Sequence, residues 1–359
     1  MGMLKSYLQK VMNILVNDKL NEERKNMEFE SILYDKLDDK KVQCNVCNHH
    51  CLILDNNHGF CLTRKNNGGT LYNCNFNVIS SANVDPVEKK PLYHFMPGSL
   101  TYSLGGFGCN MRCLNCQNYI ISQNSSDKVG HIEILPEVAV KNAIDNGCKS
   151  IAWTYNEPTM YLEYTVETAI LSHKHALKNI YITNGYMSDK ALNTLLPHID
   201  AFNIDLKSMS NDFYKKICQA TLNPILNNLK KIYKNNKHLE ITNLLINGFN
   251  DSEKLITELV NFIATELGEE VPIHFSRFFP HYKMKDVLPT NIETLEIAKE
   301  IAIDAGLHYV YLGNTPSDQN SFCPNCGELL IERNGYNVVN KNKVRNNKCT
   351  NCNRNIKFN

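Results

Sequence analysis

The sequence predicts an α/β fold in which a parallel sheet alternates with helices. Between residues 98 and 318, short apolar segments rich in Ile, Val, Tyr and Phe alternate with longer segments whose apolar residues recur every three to four positions. This alternation is typical of βαβ units, and about six or seven of them suit a complete or partial parallel barrel, or a doubly wound sheet. The predicted strands are 100–104, 150–155, 179–183, 199–205, 239–246, 272–275 and 308–312. The predicted helices are 136–146, 158–176, 188–196, 211–219, 251–266 and 291–305.

Composition restricts the class of protein further. The chain has 359 residues, of which 43% are hydrophobic, and 38 Lys and Arg balance 37 Asp and Glu. A net charge of +1 argues against a nucleic-acid binder held by bulk charge. No apolar run approaches the ~18 residues of a membrane-spanning helix, and the first twenty residues lack the features of a secretory signal. We therefore predict a cytoplasmic protein without a membrane partner; Gly2 and Ser6 match the short myristoylation pattern, which often occurs by chance.

The 14 cysteines are concentrated in three groups. In a reducing compartment such groups indicate metal ligands or catalytic thiols before disulfides. Cys74, Cys148 and Cys218 stand apart, and we interpret them as structural. The N-terminal group is Cys44, Cys47, Cys51 and Cys61, the central group is Cys109, Cys113 and Cys116, and the C-terminal group is Cys323, Cys326, Cys349 and Cys352.

The central group follows a glycine-rich turn at the end of the first predicted strand. Its Cys-x3-Cys-x2-Cys spacing suits three corners of a cubane iron–sulfur cluster. No fourth cysteine follows before Cys148, so one iron would stay open to a ligand that reacts. The glycines allow the loop to wrap a bulky cluster. A zinc or disulfide trio, or a chance grouping, is the alternative.

This loop resembles that of the radical S-adenosylmethionine (SAM) superfamily, whose members carry the same cysteine spacing after the first barrel strand. The resemblance implies a [4Fe–4S] cluster on Cys109, Cys113 and Cys116, with the open iron chelated by SAM. It further implies that one electron cleaves SAM to methionine and a 5′-deoxyadenosyl radical, which abstracts a hydrogen atom. A low-potential electron donor would then be a partner.

The segment after the second strand supplies the next candidates. Members of the superfamily have a Gly-Gly-Glu-like segment here that binds the SAM amino group, and Asn156 and Glu157 occupy that place without the glycines. The alternative is a helix start, with Asn156 as N-cap and Pro158 in the first turn. Both interpretations can hold together.

Polar residues also follow the later strands, and the carboxyl ends of parallel strands converge on one mouth. Asn184 follows the third strand, and Asp205 and Lys207 follow the fourth in an Asp-Leu-Lys string that resembles activating enzymes of glycyl-radical proteins. A surface turn and a solvated ion pair are the alternatives. The resemblance adds two residues after the sixth strand. Arg277 has a planar guanidinium that suits the SAM carboxylate or a substrate anion. His281 would reach the SAM ribose, and a buried structural histidine is the alternative.

The C-terminal group consists of two Cys-x2-Cys pairs. Four thiolates in this pattern indicate tetrahedral zinc. A segment of about 40 residues has too little core to fold alone, so the metal would hold it together as a zinc ribbon. A second iron site or free thiols are the alternatives.

The N-terminal group is less regular. We predict a second metal on Cys44, Cys47, Cys51 and Cys61, with zinc favoured over a second cluster. Three histidines within the segment are substitute ligands: His49, His50 and His58.

Four features together indicate a resemblance to one family within this superfamily. They are Gly59-Phe60-Cys61 with the N-terminal group, the Glu-Lys-Lys-Pro-Leu-Tyr-His-Phe stretch at 88–95, Cys113-Leu-Asn-Cys116-Gln-Asn, and the C-terminal pairs. They resemble the radical SAM member of the AmmeMemoRadiSam system, related to pyruvate formate-lyase activating enzymes, over residues 41–359. That family leaves the substrate open. A protein substrate is one candidate, if the enzyme installs a glycyl radical; an iron–sulfur electron carrier, or a zinc-ribbon binding module on an inactive barrel, are alternatives of other classes.

These features predict four regions in the chain. Residues 1–40 are a charged helical extension, and residues 41–97 form a Cys-rich segment. Residues 98–318 form a parallel, complete or partial TIM-type radical SAM barrel, and residues 319–359 form the zinc ribbon. The stretch 84–95 lies either at the barrel mouth or on the surface as a connector.

Overall fold

The computed structural model describes residues 29–358. Most of the predicted helical extension therefore lies outside the described residues. Its described end differs from the prediction, because residues 29–36 contribute two short strands that pair with the Cys-rich region. Phe29 stacks on Phe76, which ties this end of the chain to the main core.

The Cys-rich region is built from short antiparallel strands. They are β1 (Phe29–Glu30), β2 (Tyr34–Lys36), β3 (Val42–Cys44), β4 (Leu52–Ile53), β5 (Arg64–Asn67), β6 (Thr70–Asn73) and β7 (Val78–Ile79). Two three-stranded sheets result, β2-β3-β4 and β1-β6-β5. Val42, Ile53 and Leu71 from these sheets are buried in the main core, so this region packs as part of the central domain.

The central domain contains the predicted parallel sheet. Its strands are β8 (Ser81–Pro86), β9 (Leu100–Gly105), β11 (Ser150–Trp153), β12 (Lys178–Thr183), β13 (Ala201–Asp205), β14 (His238–Leu245), β15 (Ile273–Arg277) and β16 (Val310–Gly313), with β10 (Ile132–Glu133) paired to β7 outside it. The order is β16-β15-β14-β13-β12-β11-β9-β8, and only β8 runs antiparallel to its neighbour. All the predicted strands are present. Within the described residues the hydrogen-bonded order ends at β16 and β8, so a closed TIM barrel is not confirmed.

Helices follow the parallel strands on one side of the sheet. They are α1 (Tyr119–Ser122), α2 (Pro136–Asp145), α3 (Leu162–Lys174), α4 (Asp189–Leu195), α5 (Asn211–Phe213), α6 (Asn223–Lys234), α7 (Glu253–Glu266) and α8 (Ile292–Asp304), with 3-10 turns at Val87–Lys89 and Pro158–Tyr161 and a π-helical turn at Tyr214–Cys218. Serine side chains cap several of them; Ser188 accepts the Ala191 N–H at 3.1 Å. Helix α6 was not predicted.

Both faces of the sheet are buried, and each face has a different partner. Ile151 and Trp153 belong to the large core shared with the helices, whereas Ala152 between them belongs to a second core. This alternation follows from the two-residue period of a strand. The second core is completed by residues 87–96, which we call the inner segment. Its buried apolar side chains Val87, Leu92 and Phe95 pack against Ala152, Ile180 and Ala201.

The inner segment is therefore not a surface connector.

Residues 319–358, which we call the C-terminal module, have a small core of their own around Leu330, Ile331 and Ile356. The strands of the module are β17 (Ser321–Phe322), β18 (Leu329–Asn334), β19 (Asn337–Asn340), β20 (Val344–Arg345) and β21 (Lys348–Cys349). Arg333 joins the module to the inner segment, since it donates to the Tyr93 carbonyl at 2.6 Å.

Candidate functional site

A cleft of about 410 Å³ opens at the carboxyl ends of the parallel strands. It receives residues that follow most strands of the sheet, from β9 to β16. Because parallel strands place their carboxyl ends at one edge, side chains remote in sequence meet here. Eight of the ten residues predicted to hold the cluster and SAM line it: Cys109, Cys113, Cys116, Asn156, Glu157, Asn184, Asp205 and Lys207.

The three cysteines lie on one loop, residues 106–118, which we call the cluster loop. Two glycines make its path sterically feasible. A Cβ on Gly106 would lie 2.5 Å from the ring of Tyr161, and a Cβ on Gly108 would lie 2.3 Å from the carbonyl oxygen of Cys61. Gly108 also has a φ of +70°, which favours glycine.

Asn156 holds the base of the cluster loop. Its Oδ1 accepts the Gly106 N–H at 2.9 Å, and its Nδ2 donates to the Gly108 carbonyl at 2.9 Å. The interpretation of Asn156 as a helix N-cap is wrong, because the 3-10 turn at Pro158–Tyr161 is capped by Glu157. The Asn156 amide instead gives the glycine-rich turn the hydrogen bonds that a neighbouring backbone N–H and carbonyl would otherwise supply.

Glu157 is a buried carboxylate that lines the cleft, with 2% of its surface exposed. Its Oε1 accepts the Thr159 N–H at 3.1 Å and the Thr183 hydroxyl at 2.7 Å, and its Oε2 accepts the Asn184 N–H at 2.9 Å. Burial raises the pKa of Glu157, and these hydrogen bonds oppose the rise. Glu157 therefore caps the 3-10 turn and lines the cleft with the same side chain.

Asn184 connects the end of β12 to the cluster loop. Its Nδ2 donates to Asn110 Oδ1 at 2.7 Å and lies 3.7 Å from the Cys109 sulfur. Asp205 and Lys207 form an ion pair of 2.9 Å at the cleft, where Lys207 is only partly exposed. Burial alone would lower the pKa of Lys207, but the charges of Asp205 and Cys113 raise it, so this side chain is a cation beside the thiols.

The thiols have unequal environments. Burial, and then the charge of Glu157, raises the pKa of Cys109 well above its usual range. A hydrogen bond with Cys218 is the main cause that lowers the pKa of Cys113 to about 7, and Lys207 contributes. Three soft sulfur donors in one cleft, with the Lys207 cation beside them, suit an iron–sulfur cluster. The residues present therefore fit the predicted cluster.

Arg277 and His281 are not among the residues that line the cleft. Arg277 Nε donates to the Thr290 carbonyl at 2.7 Å, and its guanidinium lies over the Phe279 ring. The ring of His281 packs near that of Tyr119, with centroids 5.7 Å apart. The roles predicted for these two residues stay predictions.

The cleft also contains residues for which the sequence predicted no individual role. Lys89 and Lys90 reach it from the inner segment, and Lys90 pairs with Asp85 at 2.7 Å. Tyr155, at the end of β11, donates to the same carboxylate at 2.6 Å. The Glu-Lys-Lys string of the inner segment is the feature of the sequence that could have indicated this position, because lysines are rarely buried without a charged partner.

Cys218 lies behind the cleft, against Cys113. Its carbonyl accepts the Arg112 N–H at 2.8 Å, and Leu114 N–H donates to the Ile217 carbonyl at 3.0 Å. The π-helical turn that ends at Cys218 therefore supports the cluster loop along its backbone. No local pattern in the sequence predicts this contact, because it joins segments that are far apart in the chain.

The C-terminal group forms a compact thiol site. Its four sulfur atoms all lie within 4.8 Å of one another, and two pairs, Cys323–Cys352 and Cys326–Cys349, are 3.5 and 3.7 Å apart. A tetrahedral zinc with Zn–S bonds of about 2.3 Å requires sulfur atoms roughly this close. The four cysteines therefore fit a single tetrahedral ion.

Among the described helices, none is both long and apolar enough to cross a membrane.

The chain is similar to several known proteins. The model of the radical SAM superfamily matches residues 104–260, which include the cluster loop and Glu157. A protein of Methanocaldococcus jannaschii, named only as an uncharacterized protein, is 46% identical over 311 residues, which cover 86% of this chain and 92% of that one. The 4-hydroxyphenylacetate decarboxylase activating enzyme of Clostridioides difficile is 23% identical over 44% of this chain and 53% of its own. A radical SAM methyltransferase structure from Sphaerobacter thermophilus has 14% identity and a TM-score of 0.49, covering 66% of this chain and 71% of that one.

Proposed function

Because the chain belongs to the radical SAM superfamily, we propose that it cleaves SAM reductively and abstracts a hydrogen atom from a substrate. Cys109, Cys113 and Cys116 would hold a [4Fe–4S] cluster, which would supply the one electron needed to split SAM into methionine and a 5′-deoxyadenosyl radical. The observation that carries the proposal is the convergence of these three thiols with Glu157 on one cleft. The reaction consumes an electron, so a low-potential electron donor is the required partner.

The polar residues of the cleft divide the task of holding SAM. Glu157 Oε2 accepts one hydrogen bond, from Asn184, and a carboxylate oxygen has capacity for a second donor such as the SAM amino group. Lys207 presents a positive charge near Cys113, which suits the anionic cluster and the SAM carboxylate. Asn184 touches both Glu157 and the cluster loop, so it fixes the amino-group site relative to the thiols.

The C-terminal group completes the proposal as a structural zinc site. Its four thiolates have the spacing of a tetrahedral ion, and the core around them is small. Metal binding is thus the main source of stability for the C-terminal module.

A second candidate function is activation of a partner protein by a glycyl radical. The similarity to the activating enzyme of Clostridioides difficile favours it. Residues 117–147, which follow the last cysteine of the cluster loop, contain no cysteine, whereas activating enzymes of this type often carry extra cluster cysteines there. Incubation with SAM and a candidate partner should produce a glycyl-radical EPR signal on the partner if this function applies.

A Glu157 series tests the way in which SAM is held. Glu157→Gln keeps a hydrogen-bond acceptor for the 3-10 turn but removes the charge, so we expect SAM affinity to fall by about tenfold to a hundredfold. Iron content should stay at the parent level in the anaerobically reconstituted protein. Glu157→Ala should weaken SAM binding further and slow the release of 5′-deoxyadenosine under dithionite.

Glu167→Gln is the matched control, because Glu167 is also buried but lies on helix α3 away from the cleft. It should bind SAM as the parent does. If both Glu157 variants bound and cleaved SAM like the parent, Glu157 would be a helix cap only, and the amino-group site would lie elsewhere in the cleft.

A further inference from the structure

The N-terminal group is gathered by the strands of the Cys-rich region. Cys44 ends β3, and its N–H donates to the carbonyl of Cys51 across the β3–β4 hairpin at 3.0 Å. Cys47 and Cys61 are buried beside them, and Thr63 donates to the Cys61 sulfur at 3.3 Å. Cys44 and Cys61 belong to the main core, and Cys51 packs against it. The four cysteines are therefore gathered in one part of the fold.

A buried cation faces this group. Arg64 is 1% exposed, and its Nη1 donates to Glu163 at 2.7 Å and to Ser31 at 2.9 Å. Its Nε and Nη2 have no hydrogen-bond partner, and buried donors of this kind are destabilising unless an acceptor completes the site. Arg64 follows Thr63, whose hydroxyl donates to the Cys61 sulfur. This buried cation therefore lies beside the group and can compensate an anionic thiolate centre.

The spacing of the sulfur atoms distinguishes this group from the C-terminal one. Within residues 29–358, the C-terminal group is the set whose ligand atoms all lie within 4.8 Å, and the N-terminal group does not meet that spacing. A single zinc ion draws four sulfurs to the closer spacing. A cubane cluster carries its thiolates on four separate irons, which holds the sulfurs farther apart. A cluster is therefore the metal centre that a wider spacing can accommodate.

The group also lies directly against the cluster loop. His49 Nε2 lies 2.6 Å from the Asn110 carbonyl oxygen, and the Phe60 carbonyl accepts from Arg112. The Arg112 guanidinium stacks over the Phe60 ring at 4.3 Å. A metal centre that orders residues 44–61 would thus also fix the loop that carries Cys109.

We propose that Cys44, Cys47, Cys51 and Cys61 ligate a second iron–sulfur cluster beside the cluster loop, with Arg64 as its buried counter-charge. This site adds to the proposed function and does not depend on SAM cleavage. It replaces zinc, which the sequence pattern favoured, as the proposed metal of this group.

Iron counting in a chain without the central cysteines tests the proposal. The full chain with Cys109, Cys113 and Cys116 all changed to Ala is reconstituted anaerobically with ferrous iron and sulfide. We expect about four irons per chain to remain, with the Mössbauer spectrum of a cubane cluster. Adding Cys44→Ser and Cys61→Ser to this variant should remove the remaining iron, while zinc in the C-terminal group is unchanged.

The controls keep the outcomes separate. Cys148→Ala removes a buried thiol outside all three groups and should leave iron at the parent level. If the triple variant held no iron and the N-terminal group held zinc or no metal, the second cluster would be refuted while the central cluster stood. If the parent and the triple variant held the same iron, the central assignment, and with it the proposed function, would fail instead. The triple variant leaves the N-terminal group unchanged, so misfolding of the serine variants does not affect this reading.

Discussion

The two four-cysteine groups have the same number of thiols but are integrated into the molecule in different ways. The C-terminal group is compact and closes a small separate core. The N-terminal group is wider, contributes Cys44 and Cys61 to the main core, and packs on the cluster loop. A cysteine count therefore predicts metal sites, whereas the surroundings of each group indicate whether a bound metal would hold a module together or support the active site.

The largest effect is expected at the C-terminal group. Cys349→Ser removes a buried ligand, and structural zinc sites contribute about 10–16 kcal/mol of apparent binding energy in isolated zinc-finger peptides. Zinc should be lost, and amides of residues 321–358 should exchange rapidly with deuterium while those of the parallel sheet stay protected. Iron content should not change. Retention of zinc in this variant would show that the four thiols are not a unit.

Breaking a buried ion pair near the N-terminal group should destabilise the fold more than breaking a partly exposed pair at the C-terminal module. Arg64→Met removes the cation that pairs with the buried Glu163 carboxylate, and we expect a loss of about 3–5 kcal/mol in the free energy of unfolding by denaturant. Arg354→Met at the C-terminal module breaks a partly exposed pair with Glu270, which should cost about 1 kcal/mol or less. Equal losses would show that the N-terminal region is not part of the main core.

Two glycines test the contact with the cluster loop. Gly108 and Gly327 have φ values of +70° and +71°, so alanine costs about 1–2 kcal/mol at either position. A Cβ on Gly108 would also lie 2.3 Å from the Cys61 carbonyl, whereas nothing lies within 4 Å of one on Gly327. Gly108→Ala should therefore lower the melting temperature more and reduce the iron retained after gel filtration. Similar behaviour of the two variants would place the loop away from Cys61.

Acid should loosen the attachment of the C-terminal module. Burial lowers the pKa of His94 to about 3, Arg333 acts in the same direction, and Glu240 opposes it. In the unfolded chain this histidine binds a proton below its ordinary pKa of about 6.5, whereas in the folded chain it does so only near pH 3. The free energy of unfolding therefore decreases as the pH falls from about 6.5 towards 3. We expect about 1.4 kcal/mol for each pH unit below the upper limit.

Unfolding midpoints at pH 7 and pH 5.5 measure this loss. His94→Gln should flatten the pH dependence, because glutamine takes up no proton. The ring of His94 packs against that of Phe358, so the C-terminal module should detach first. An unchanged slope in this variant would assign the acid sensitivity to other groups.

Much of the fold follows from local patterns in the sequence. The parallel strands were predicted because Ile, Val, Tyr and Phe runs alternate with helical periodicity, and the cluster loop because its cysteines are neighbours in sequence. Helix α6 was missed because its polar, Asn-rich sequence hides a narrow apolar stripe of Ile225, Leu229 and Ile232. The spacing of these three residues is that of a helix packed on one side only.

The parts of the site that escaped prediction depend on distant contacts. The inner segment enters the second core because the sheet presents small side chains such as Ala152 and Ala201 on that face, and no local pattern reveals this pairing. Asn156 was assigned to a helix cap because Asn before Pro is typical of one. Its bonds to Gly106 and Gly108 arise because β9 and β11 are adjacent in the sheet.

Release of 5′-deoxyadenosine tests the central claim most directly. The parent protein, fully loaded with its cluster under anaerobic conditions, is mixed with SAM and dithionite, and the products are separated by chromatography. The account predicts 5′-deoxyadenosine and methionine in equal amounts from the parent, and none from the variant with Cys109, Cys113 and Cys116 changed to Ala. A loaded parent that neither bound nor cleaved SAM, or a triple variant that cleaved it equally well, would contradict the account.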